Sequence, residues 1–147
     1  MISIILTKKN LYERYMKGIL KNGTHLMNNG ERTHKDSFKD AFAGLKWVLV
    51  TQPNFRIHLV ISVVALLLGL FLHISAIAMA IIVFTILLGL TAEMINTSIE
   101  AMTDLITKEY REDAKIAKDV AAGMMLLTAA GAVLVAICIF IPYIVTQ

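Results

Sequence analysis

From Leu59 to Ala92 the chain carries no Asp, Glu, Lys or Arg, and another apolar stretch runs from Val120 to Val145. At about 1.5 Å per residue the first run would make a helix about 50 Å long, too long for one crossing of a roughly 30 Å hydrocarbon core. Its most polar point is "HIS", His73 to Ser75, a natural place to turn. The pattern predicts a helical hairpin with one span near residues 55–72 and a second from Ala76 to about Ile106. A third span covers Val120 to Val145, with Pro142 near its far end. The fold class is all-α and integral to a membrane, with three transmembrane helices.

Before the first span, helical spacing returns in a weaker, one-sided form. In "SFKDAFAGLKWVLV", Phe38, Ala41, Phe42, Leu45, Val48 and Leu49 follow one stripe, while Lys39, Asp40 and Lys46 lie off it. This predicts an N-terminal amphipathic surface helix lying in the interface, with Trp47 near headgroup level. "LYERYMKGIL" repeats the pattern more weakly, and "KNGTHLMNNGERTHKD" between them reads as a linker. The chain thus divides into an extension, residues 1–36, and a membrane domain, residues 37–147.

Composition agrees and charge adds direction. Of 147 residues 57% are hydrophobic, and mean hydropathy is +0.70, above the norm for a soluble domain. A net charge of +3 would suit nucleic acid, but the placement of the charges argues against that partner. Ten of the 14 Lys and Arg lie at or before Arg56, and the other four, Lys108, Arg111, Lys115 and Lys118, lie between the second and third spans. By the positive-inside rule the N-terminus and the second loop are cytoplasmic and the C-terminus is outside. "MISIIL" is too short an apolar run for a signal-peptide core, so no cleaved signal is expected. The lone Cys138 excludes a disulfide framework and a thiolate metal site.

Chemistry gathers at the inner end of the second span, in "TAEMINTSIEAMTD". At about 100° per residue, Glu100 and Asp104 fall within about 20° of Glu93 on either side, and Asn96 about 60° away. Glu93 lies about 25 Å from Ala76, just inside the cytoplasmic boundary. Glu100 and Asp104 lie beyond it, and Lys118 and Asp119 reach the same depth at the start of the third helix. Ala121, Ala122 and Gly123 follow, small enough for close helix approach. Solvated surface is the ordinary reading of such a face. It suits Asp104 better than Glu93, which is deeper and in line with two other carboxylates. His58 and His73 read as interfacial fillers, since neither has a partner at metal-ligand spacing.

Phosphoryl transfer from ATP needs a divalent metal, carboxylates to hold it, a cation for the phosphates and a base for the attacking hydroxyl. A lipid alcohol presents its hydroxyl at the depth of Glu93, where partial desolvation strengthens a carboxylate as proton acceptor. The G-x-x-x-x-G-K-[ST] pattern is absent from the chain, so any nucleotide site is built without a P-loop.

"EMINTSIEAMTDLI" resembles E-x-x-N-[ST]-[AS]-I-E-x-x-x-D, the signature of the prokaryotic diacylglycerol kinase family, which includes the undecaprenol kinases. "EYREDAKIAKDVAAG" continues with the family's spacing to A-K-D, and "NFRIHL" resembles its Gram-positive branch. The resemblance covers about residues 37–145. It implies a bacterial plasma-membrane lipid kinase, a homotrimer using Mg²⁺ and ATP at sites shared between subunits. Glu93 then takes the place of the catalytic base, with Asn96 and Asp104 on the same active-site face. Glu100 takes the place of a metal-binding glutamate that also serves the ATP site. Lys118 and Asp119 take the places that contact the ATP phosphates, and Glu109, Tyr110 and Arg111 lie in the nucleotide loop. Gln52 stands where a second metal-binding glutamate is common, an amide oxygen without the charge. Asp40 and Thr33 stand where some relatives carry a Tyr and an Arg for ATP, for which Arg32 or Lys35 could substitute.

The expected reaction moves the γ-phosphoryl group of ATP to undecaprenol, the acceptor the "NFRIH" stretch favours. Diacylglycerol is the alternative acceptor. A non-catalytic ion-binding or transport module is a rival of another class, but it needs polar residues through the whole bilayer depth. Spans one and three offer little beyond Ser62 and Thr128. An inactive relative serving as a structural or regulatory subunit is a further alternative, which the Gln52 departure keeps open.

Overall fold

The computed structural model describes residues 34–145 together with Glu13 and Lys17. The rest of the weakly amphipathic segment at residues 11–20, and most of the linker including Arg32 and Thr33, lie outside the described residues. Among residues 34–145 four helices follow in order: α1 His34–Thr51, α2 Pro53–Phe71, α3 Ala76–Ile106 and α4 Glu112–Val145. Two compact units divide the chain, residues 1–53 and 54–147.

In the first unit, α1 is the expected amphipathic helix, begun at His34 rather than Ser37. Asp36 stands in its first turn, where a carboxylate favours the positive end of the helix dipole. Phe38 and Phe42 are exposed and Val48 is buried, so the apolar stripe is open to its surroundings along its N-terminal half. Pro53 ends the helix: it has no N–H to continue the ladder and disfavours helical backbone in the residue before it. The N–H of Gln52 still donates to the carbonyl of Val48 at 2.9 Å.

In the second unit, α2, α3 and α4 are each long and apolar enough to cross a membrane. The turn falls where "HIS" places it, and its chemistry is specific. The N–H of Ile74 donates to Gly69 O and that of His73 to Leu70 O, both at 3.2 Å. His73 sits between them at a φ of 50°. These are the two bonds of a Schellman cap, with a histidine in the left-handed position glycine usually takes. Ser75 then opens α3, its Oγ accepting from the N–H of Ala78 at 3.2 Å. Leu72 and Ile74 fold back onto Ile82 and Phe140 as a small buried cluster. The Tyr143 hydroxyl accepts the N–H of Ser75 at 3.0 Å, fastening α4 to the turn.

α4 begins at Glu112, about two turns before the apolar stretch at Val120. Glu112 and Asp113 occupy its first turn, favourable at a helix N-terminus, and Lys115 pairs with Asp119 one turn along the same face. Propensity and pairing therefore extend the helix past the apolar pattern. Lys118 and Asp119 lie inside α4 rather than at its start. Of the small residues expected at close approach, Ala121 is buried, Ala122 is exposed and Gly123 is half-buried. Only Ala121 meets that expectation fully.

Candidate functional site

The 31 residues of α3 extend about 46 Å, against a hydrocarbon core of roughly 30 Å. Its last turns therefore stand beyond the core, beside the first turns of α4. The polar face of α3 passes from one regime to the other. Glu93 is 3% exposed and Asn96 8%, with Thr97 and Thr103 also buried, while Glu100 and Asp104 are exposed.

A carboxylate and an amide one turn apart are in contact on this face. Asn96 donates an N–H from Nδ2 to Glu100 Oε1 at 3.1 Å. Its Oδ1 faces away, buried and without a hydrogen-bond partner. Burying an acceptor unpaired is unfavourable, so this atom marks the place on the face that a donor or a cation would complete. His58 of α2 and Glu100 of its own helix are the titratable groups whose charge acts on Glu93. Thr103, by contrast, satisfies its hydroxyl locally, donating to Ile99 O at 2.7 Å.

Between the extended ends of α3 and α4, Lys118 Nζ donates to Asp104 Oδ1 at 2.5 Å. Asp119 is bonded instead to Lys115, so Lys118 and Asp119 are neighbours in sequence with separate partners. Glu109, Tyr110 and Arg111 lie in the exposed loop between the helices. There the Thr107 hydroxyl accepts the N–H of Glu109 at 3.1 Å. Glu93, Asn96, Glu100, Asp104 and Lys118 are thus brought together along one helix face and its neighbour. Gln52 belongs to the other unit. Among the described residues no group of three or more His, Cys, Asp or Glu side chains is placed to hold a metal ion.

Next to this face the helices leave an apolar groove of about 190 Å³, lined by Ala65 of α2, Ile82, Ile86 and Gly89 of α3, and Ala136 and Phe140 of α4. His58 also lines it. The spacing within α2 reads His58 as an interfacial filler, and its place on the groove becomes visible only with the residues of the other helices beside it.

Comparison with known proteins agrees with this architecture. The family model for prokaryotic diacylglycerol kinase matches residues 39–140. The chain is 43% identical over 107 residues to a diacylglycerol kinase of Synechocystis sp., covering 72% of this chain and 61% of that protein. It is 34% identical over 106 residues to the undecaprenol kinase of Bacillus subtilis, covering 72% of this chain and 86% of that protein. With a diacylglycerol kinase of Escherichia coli it shares 28% identity over 87 residues, 59% of this chain and 71% of that protein. The match thus spans about three fifths of the Synechocystis relative's length. With the motif face, the three spans and a family match over most of its length in agreement, the chain belongs to the prokaryotic diacylglycerol kinase family.

Proposed function

We propose that the chain is an integral membrane lipid kinase that transfers the γ-phosphoryl group of ATP to a membrane alcohol, with undecaprenol as the acceptor. The observation that carries the reading is the graded face of α3: a buried carboxylate at Glu93, then a buried amide oxygen without a partner, then an exposed carboxylate at Glu100. A proton acceptor at the lipid boundary and oxygen ligands at the water boundary are what transfer between a lipid and a nucleotide requires.

In this reading Glu93 takes the proton of the lipid hydroxyl. As that O–H bond breaks, the oxygen forms a bond to the γ-phosphorus, and the bond from phosphorus to the β–γ bridging oxygen breaks, releasing ADP. Asn96 holds the Glu100 carboxylate in place through its N–H and leaves its own Oδ1, on the other side of the amide, for a donor or a cation. Mg²⁺ fits this donor set, because it favours oxygen ligands and completes its shell with water and phosphate oxygens. When bound, it neutralises charge on the transferring phosphoryl group. Asn96 Oδ1 and Glu100 are the residues that would hold it. Lys118 serves the phosphates, and Asp104 orients Lys118 until nucleotide arrives. The loop at Glu109, Tyr110 and Arg111 covers the nucleotide, Asp119, held by Lys115, joins Lys118 at the ATP site, and the site is completed by other copies in a homotrimer. The N-terminus and the loop after α3 face the cytoplasm.

Undecaprenol has one chain, and one chain is what a single groove between three helices suits. The 43% identity to a protein named diacylglycerol kinase favours diacylglycerol as the second reading. The test is phosphate transfer from labelled ATP with Mg²⁺ in mixed micelles, with each lipid supplied separately and Glu93→Gln as control. Label in undecaprenol that vanishes in the variant is the expected result. Label in diacylglycerol alone would reassign the acceptor, and label in neither lipid would overturn the kinase reading.

A further inference from the structure

Two chemistries share one stripe of α3. At about 100° per residue, Ile82, Ile86, Gly89, Glu93, Asn96, Glu100 and Asp104 all fall within about 40° of a common line. The first three line the apolar groove, and the remainder form the polar face. Gly89 and Glu93 are one turn apart, about 6 Å along the axis. The groove therefore ends where the carboxylates begin.

The direction of the groove follows from the antiparallel chain. On α2 its lining runs from His58 to Ala65, on α3 from Leu90 back to Ile82, and on α4 from Ala132 to Phe140. Ile82 and Phe140 belong to the buried cluster under the turn, so that end is closed by hydrocarbon. His58 marks the opposite end with Gly89 and Leu90, about one turn short of Glu93 along α3. The other polar groups of the lining are spent on their own helices: Ser62 donates to His58 O at 2.7 Å and Thr85 to Ile81 O at 2.8 Å. His58 is left as the group at the polar end able to meet a ligand.

We infer that His58 positions the acceptor alcohol: the lipid chain lies in the groove between α2, α3 and α4, and the His58 ring donates a hydrogen bond to the alcohol oxygen while the alcohol O–H points at Glu93. The imidazole has a donor to give in either protonation state. With one lone pair held by His58 and the hydrogen directed to Glu93, the remaining lone pair is free for phosphorus, an alignment that intramolecular-like reactions exploit. The inference rests on the lipid-kinase reading and adds to it the residue that seats the acceptor.

The experiment measures KM for undecaprenol and for ATP separately, on the purified full chain in mixed micelles. His58→Ala is expected to raise the KM for undecaprenol about tenfold, the scale of one hydrogen bond, and to lower kcat, with KM for ATP near the parent value. His58→Gln, which keeps an N–H donor, is expected to recover most of the loss. A second variant probes the groove. A Cβ at Gly89 meets nothing within 4 Å, so a side chain can start there, and Gly89→Leu, projecting into the groove that Gly89 lines, should also raise the lipid KM. An unchanged lipid KM in His58→Ala would overturn the inference, as would a Gln variant no better than Ala, which would mean that the ring only packs. If Gly89→Leu changes the oligomer size and leaves the lipid KM alone, the groove receives another copy of the chain and the inference also fails. A parent protein inactive toward every lipid alcohol would defeat the kinase reading itself, an outcome separate from an active parent with indifferent variants.

Discussion

Asn96 gives its amide N–H to Glu100 at 3.1 Å and in doing so leaves its own carbonyl oxygen buried and unpaired. The bond orders the carboxylate, and the orphaned oxygen is unfavourable until something is bound. Folding stability and ligand affinity therefore pull in opposite directions at this residue. Asn96→Ala should weaken the apparent Mg²⁺ affinity about tenfold while lowering unfolding stability by no more than about 1 kcal/mol. Metal titration of activity beside a denaturation midpoint would check it. Unchanged metal dependence would remove Asn96 Oδ1 from the ligand set.

Glu93→Gln keeps the volume and loses the base. Turnover should fall by about 10²- to 10⁴-fold, the usual weight of a general base, with ATP binding near the parent level. A variant retaining a tenth or more of the parent's turnover would show that the proton leaves by another route.

Lys118 is bonded to Asp104 on an exposed surface, where ion pairs add little to stability. Its importance should therefore appear in nucleotide binding and not in unfolding. Lys118→Met is expected to raise the KM for ATP about tenfold or more, as loss of a charge-assisted contact does, with the melting midpoint unmoved. A lowered midpoint with an unaltered KM would mark the lysine as structural.

His73 holds left-handed backbone at a φ of 50°, which is unfavourable for a side chain with a Cβ by about 1–2 kcal/mol. His73→Gly should raise the unfolding midpoint in detergent by an amount equivalent to about 1 kcal/mol. Because the residue lies at the far end of the helices from Glu93, kcat should stay at the parent value. Loss of stability would mean that the ring makes a contact worth more than the relieved strain.

Much of this architecture was legible in the sequence because lipid imposes a simple rule: long uncharged runs must be helical, and a run too long to cross once must turn. The "HIS" turn and the limits of α3 follow directly. The start of α4 did not, because Glu112 through Asp119 is held helical by a first-turn charge preference and a local ion pair, signals that hydropathy does not carry. At the site, Glu93, Asn96, Glu100 and Asp104 share a helix face by spacing alone. The Lys118–Asp104 bond and the position of His58 depend on how α2 and α4 lie against α3. Such contacts join residues distant in sequence, and no single-helix periodicity encodes them.

The length of α3 has a further consequence. Because the helix is capped at Ser75, the height of Glu93 above the turn is fixed by a count of residues, about 25 Å. The protein therefore carries its own depth gauge. A host bilayer a few ångströms thinner lifts the carboxylate among the headgroups, and a thicker one submerges it, at a small energetic penalty per ångström. Membrane thickness, set by the surrounding lipids and not by either substrate, thus becomes a quantity this carboxylate is positioned to report.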